Sequence, residues 1–292
     1  NIQFIVGSGR AGNIGGIFGV IISEPGNTNK YNFLAKCENY GNIISSSGFH
    51  LGGIVGLIYS LECSFVLSNS SNYGKIVGQH DSLVETDYSM RIGGICGKLT
   101  GQHTITNCHN SGDIMQIDND LPDSLLFIGG ICGQVLSGGV ISECTSIGNL
   151  YPINKYVSCG GICGFLDDGR ITNCYSGGLC YLPDKFPVNE LFVGGICGQN
   201  IKGNITSCIS TFNPLAKTID NTHLGGIVGQ TFAHAASHCY YDKQLCPVEE
   251  VPEYGVAKFT RELVGLSPNL EGISADDWIF AENLYPRLNF RA

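Results

Sequence analysis

The chain has 292 residues, enough for one or two domains, and combines 43% hydrophobic with only 14% charged residues and 41 glycines, about twice the usual share. With 16 Lys and Arg against 25 Asp and Glu the net charge is −9, which argues against a nucleic acid or an anionic membrane as partner. No apolar run reaches the length of roughly 18 residues that a membrane-spanning helix needs. A chain opening at Asn1 without a signal peptide is expected to be a processed or trimmed product.

The segment 1–11 begins with a β-type apolar run, Ile2-Gln3-Phe4-Ile5-Val6. Its alternation makes 1–11 a candidate donor strand for a neighbouring subunit, with Ile2, Phe4 and Val6 as the assembly contacts. The following Gly7-Ser8-Gly9-Arg10-Ala11-Gly12 fits a dinucleotide-binding spacing, but Asn13-Ile14-Gly15-Gly16 comes next and forms no helix to hold a pyrophosphate. No cofactor is expected.

Across 12–246 one pentapeptide, Gly-Gly-Ile-x-Gly, recurs seven times, starting at Gly15, Gly52, Gly93, Gly129, Gly160, Gly194 and Gly225. A second block follows, as in Ile105-Thr106-Asn107-Cys108-His109-Asn110-Ser111-Gly112-Asp113-Ile114. Short β-branched runs separated by Gly, Asn, Ser and Asp are strand and turn signals, and helical periodicity is missing. A unit this small buries its apolar face only by stacking on its neighbours. The expected fold is therefore all-β: a β-solenoid of about seven coils, its glycines serving tight corners with positive φ or close approach between layers. A β-propeller is the runner-up, but the shorter units fall well below the roughly 40–50 residues usual for a four-stranded blade. Variable insertions at 27–33, 80–90, 115–126 and 181–190 are expected on one edge of the solenoid.

Fourteen cysteines and the sequons at Asn69 and Asn204 favour an oxidising, glycosylating compartment, hence an extracellular or cell-surface location. Cys96, Cys132, Cys163 and Cys197 occupy the fourth place of their pentapeptides, and each is followed in its own repeat by a second cysteine at a near-constant spacing. This suggests the pairs Cys96–Cys108, Cys132–Cys144, Cys163–Cys174 and Cys197–Cys208. Cys159 and Cys180 each replace an aliphatic residue within one repeat, as a cross-core disulfide requires, while Cys239–Cys246 and, by remainder, Cys37–Cys63 complete the set. The alternative is a column of reduced thiols acting as small apolar side chains.

The Gly-Gly-Ile-x-Gly block followed by Ile-Thr-Asn-Cys-x-Asn-x-Gly resembles the GLUG-type repeats of surface proteins, over roughly 12–288. Thr260-Arg261-Glu262-Leu263, Trp278-Ile279-Phe280 and Tyr285-Pro286-Arg287-Leu288 are similar to the endings of such arrays. The resemblance implies an extracellular, adhesin-associated module with no catalytic residues to carry over.

The segment 247–292 is expected to cap the last coil through Trp278, Phe280, Leu284, Tyr285 and Leu288, with a short helix starting at Thr260. His234, His238, Cys239 and Cys246 as a zinc site, and Asp118, Asn119, Asp120 and Asp123 as a calcium loop, lack the spacing of either motif, so no metal is expected. Asp167-Asp168 reads as a turn. The favoured role is a structural protein, not an enzyme: a surface spacer or filament subunit joined by head-to-tail contacts. The alternatives are a carbohydrate- or receptor-binding adhesin contacting ligand through Tyr and acidic loops, and a polysaccharide-cleaving β-helix enzyme.

Overall fold

In a computed structural model the seven Gly-Gly-Ile segments stand directly on one another, joined by backbone hydrogen bonds of 2.8–3.0 Å from each isoleucine N–H to the isoleucine carbonyl of the next turn, from Ile17→Ile54 to Ile196→Ile227. The structure describes residues 12–22, 31–46, 48–60, 63–79, 89–117, 124–182, 189–215, 222–232, 236–248, 251, 254–266 and 269–290. The fold is an all-β solenoid. Each complete turn contributes one strand to each of five parallel sheets. In the third turn these strands are Met90–Gly93 (sheet A), Cys96–Thr100 (B), Thr104–Thr106 (C), His109–Asn110 (D) and Ile114–Ile117 (E).

Sheets A and B hold seven strands, C and E six, and D eight. Seven pentapeptides thus give six complete turns and a partial seventh, slightly fewer than the seven coils expected. The insertions at 80–90, 115–126 and 181–190 all join sheet E to sheet A, whereas 27–33 joins B to C, so most but not all share one edge.

Two apolar compartments run along the axis. Sheets B, C and D enclose Ile95, Cys96, Leu99, Ile105, Cys108 and their equivalents. Sheets A and E enclose Ile92, Ile114 and theirs. Between the compartments the turn is pinched. From one side comes the second glycine of the pentapeptide; from the other, a buried polar residue of sheet D, in the order Asn39, Asn72, Asn110, Ser146, Ser176 and Ser210. A methyl group on Gly94 would overlap both the Asn110 side chain and the carbonyl oxygen of Gly130. The polar residues bond along the axis: Asn39 Nδ2 donates to Asn72 Oδ1 at 2.7 Å and Asn72 Nδ2 to Asn110 Oδ1 at 2.8 Å. Asn72 Nδ2 also donates to the Gly74 carbonyl at 2.9 Å, which holds the D-to-E corner.

The pentapeptide glycines therefore serve close approach and not positive φ; the glycines with positive φ lie elsewhere, such as Gly101 and Gly138. The left-handed corner of each turn is instead made by the residue between sheets C and D: Lys36, Asn69, Asn107, Glu143, Asn173, Ser207 and His238, with φ of 49–58°. Asn suits this conformation better than most residues.

The C-terminal segment differs in detail from the expected plug. Val256–Lys258 adds the eighth strand of sheet D, and Tyr241, Cys246, Val248 and Ala257 pack against the open side of the last turn's core. Trp278 and Leu288, on the only antiparallel pair among the described residues, fold back over the outer face of sheet D against Tyr175, Ile209 and Tyr240. Leu284 is exposed. The helix spans Thr260–Leu263 with Phe259 as its cap, and the Thr260 hydroxyl donates to Asp242. That buried carboxylate accepts from Thr260 Oγ1 at 2.6 Å, the Tyr285 hydroxyl at 2.5 Å and the Gln244 N–H at 2.8 Å. Partial burial, with the hydrogen bond to Asp242, pushes the Tyr285 phenol up to about 12.

Candidate functional site

The solenoid brings the cysteines into two axial columns facing the same core. Sheet B aligns Cys96, Cys132, Cys163 and Cys197 in strict register. At the entrance to sheet D stand Cys37, Cys108, Cys144, Cys174, Cys208 and Cys239, with Ser70 filling the place in the second turn. All fourteen cysteines are free thiols in this structure. In the two columns the contacts run from turn to turn, Cys96 with Cys132, Cys163 with Cys197 and Cys144 with Cys108 and Cys174. Burial raises the thiols of Cys96, Cys144, Cys163 and Cys208, like that of Cys159, well above the usual range, so they are held protonated. Each of the four in the columns bonds a nearby carbonyl, as Cys96 Sγ does Lys98 O at 3.1 Å.

Cys159 and Cys180 stand apart. They lie in the A–E compartment, fully buried, with their sulfurs 3.7 Å apart across the core. Oxidation of the intact protein is expected to couple this pair before any other, closing a loop worth about 3 kcal/mol in the chain-entropy model. Peptide mapping under non-reducing conditions checks it: a cross-linked peptide containing Cys159 and Cys180 is the expected product, and a different first bond would refute the assignment.

Of the other residues singled out, Asn69 lies exposed at a left-handed corner, and Asn204 lies exposed on the edge strand of sheet C. Ile2, Phe4 and Val6, the glycine pattern from Gly7 to Ala11, His234 and the acidic loop at 118–123 lie outside the described residues. Asp167 ends a strand of sheet B, and Asp168 turns the chain with φ 53°. His238 occupies the left-handed corner before sheet D and lies 3.7 Å from Glu271 of the C-terminal segment.

The two ends of the stack are unlike. Ile17 and Phe18 are 44% and 43% exposed, whereas the equivalent Ile227 and Val228 of the last turn are 0% and 1% exposed. Between these turns the same two columns are fully buried. Among the described residues, the first turn therefore presents the open end of the B–C–D compartment and the outermost strands of five parallel sheets, whereas Ile14 and Ile43 of the A–E compartment are buried. Sequence reasoning looks to this end for assembly, through the apolar run 2–6, but does not single out Ile17 and Phe18. Tyrosines form two surface stacks, Tyr40 on Tyr73 (4.7 Å, 11°) and Tyr151 on Tyr181 (4.6 Å, 2°). Rings stacked along the axis cover one another's faces, which leaves mainly edges and hydroxyls for a ligand.

A family model described as the GLUG motif matches residues 88–115, the third turn from its sheet A strand to its sheet E strand. No curated protein and no solved structure matches the chain.

Proposed function

We propose that this GLUG-motif solenoid is an extracellular structural protein, a rigid spacer that extends a surface assembly or filament by stacking further β-coils on its first turn. The observation that carries this reading is the exposed end of an otherwise closed core at Ile17 and Phe18. Parallel strand edges with an apolar centre are the surface on which a coil of the same register docks, because backbone pairing and core burial are satisfied together. Contact of that face with the outermost strands at the opposite end of another copy, where the core is already covered, is heterologous and propagates as a filament. The exposed sequon residues Asn69 and Asn204 support a location outside the cell.

Sedimentation and negative-stain imaging of the purified chain test the proposal. Self-association into elongated particles is expected, and Ile17→Glu with Phe18→Glu should return the protein to monomers without unfolding it, since both side chains are already partly solvated. A wild-type chain that stays monomeric at high concentration would sink the reading.

A further inference from the structure

Strands Met90–Gly93 and Cys96–Thr100 flank the Gly94–Ile95 corner and carry Arg91 and Lys98 to the seam between sheets A and B. Register places His50 beside Arg91 and Gln134 beside Lys98. Arg91 Nε donates across the seam to Gln134 Oε1 at 2.8 Å, and its Nη1 donates to the Ser89 carbonyl at 2.5 Å. The guanidinium also lies 5.6 Å from the centroid of Phe127, which packs on Phe165 at 4.9 Å. Arg91 is thus fixed in place.

Burial lowers both cations from their ordinary values, and the Arg91 charge lowers Lys98 further. Among the described residues no carboxylate stands within ion-pair distance of either. His50 adds no third charge: burial first, then Arg91 and Lys98, bring its imidazole down to about 3, and its Nδ1 is bonded to Asn13 Oδ1. Two partly desolvated positive charges side by side are costly unless an anion joins them. The chain's net charge of −9 does not oppose this at contact range, because the screening length is about 8 Å at physiological salt.

We propose that this seam binds an oxyanion group, carboxylate or sulfate, carried on an acidic saccharide. Arg91 offers a planar, preorganised donor and Lys98 a mobile point charge, the pair that suits such a group. Sheet B continues the row beyond Lys98 through Gln134, which is buried and bonded to Arg91, to Phe165, Gln199 and Gln230, one per turn and about 4.8 Å apart. Amides and ring edges in line give sugar hydroxyls and C–H groups their partners along a linear chain. The site lies on the flank of the solenoid and is independent of stacking at the first turn.

Calorimetric titration of the intact protein at low salt tests it, with inorganic sulfate, a sulfated glucan, the unsulfated parent glucan and an acidic peptide as probes. The sulfated glucan is expected to bind at least tenfold tighter than its parent, and Lys98→Gln and Arg91→Gln to weaken it at least tenfold. Lys98→Gln is the decisive variant, because the ammonium makes no hydrogen bond or ion pair among the described residues, so the variant is expected to keep the wild-type circular dichroism spectrum. Unchanged affinity in Lys98→Gln, or equal binding of the parent glucan, overturns the anion site. Binding of sulfate alone, or of the acidic peptide as tightly as the glucan, overturns the saccharide assignment.

Discussion

Gly94→Ala is expected to destabilise the solenoid by roughly 3–5 kcal/mol, far more than a glycine-to-alanine change on an exposed strand. The new methyl has nowhere to go: on one side is the Asn110 side chain, on the other the Gly130 carbonyl oxygen of the next turn. Backbone of two turns would have to separate, and with it the isoleucine ladder through Ile95 and Ile131. Gly12→Ala is the matched control. It has no atom within 4 Å of the added methyl, so its effect should stay within about 0.5 kcal/mol. Urea unfolding followed by circular dichroism measures both, and equal midpoints for the two variants would refute the pinched-turn account. Because turns depend chiefly on their neighbours, the loss should appear first as local opening around the third and fourth turns, visible as hydrogen exchange at Ile95 and Ile131.

Asn72→Ala should cost about 2–4 kcal/mol for a different reason. The side chain is fully buried and joins three groups: it accepts from Asn39 Nδ2 and donates to Asn110 Oδ1 and to the Gly74 carbonyl. Truncation strands all three away from water. Asn72→Ser should be milder, since the later turns already use Ser146, Ser176 and Ser210 at this place and Ser176 Oγ donates to Ser210 Oγ at 3.1 Å. A thermal melt of the alanine variant that overlays the wild type would mean the ladder is decoration and the glycines alone define the turn. The combination of Gly94→Ala with Asn110→Ala would separate the two contributions: relief of the first by the second is expected only if the side chain, and not the next turn's carbonyl, is the main obstacle.

The repeat was legible because a stacked turn writes its needs locally. Alternating apolar residues such as Ile92, Leu99, Ile105 and Ile114 each recur once per turn and all face the interior. Glycine at the second place of the pentapeptide could be recognised as obligatory, yet whether it served positive φ or close approach could not. The obstacles at Gly94 come from Asn110, on the far side of the same turn, and from Gly130 in the turn above. The thiols illustrate the same gap. Spacing suggested partners within a turn; parallel register adds Cys96 beside Cys132 and Cys132 beside Cys163, a neighbour relation that no spacing within one turn expresses. Cys159 and Cys180 were legible as neighbours because both departed from the pattern of one turn, and that turn closes on itself.

The amino-acid pattern by itself determined that this chain forms short parallel strands wound into turns, because strand length, corner residues and the inward-facing set all repeat with the turn. Tertiary structure alone decided that the C-terminal segment lies over sheet D, that the first turn's B–C–D compartment stands open, and that Arg91 and Lys98 share a seam. Those outcomes depend on contacts between turns and between sheets, where residues meet through stacking and not through their order along the chain.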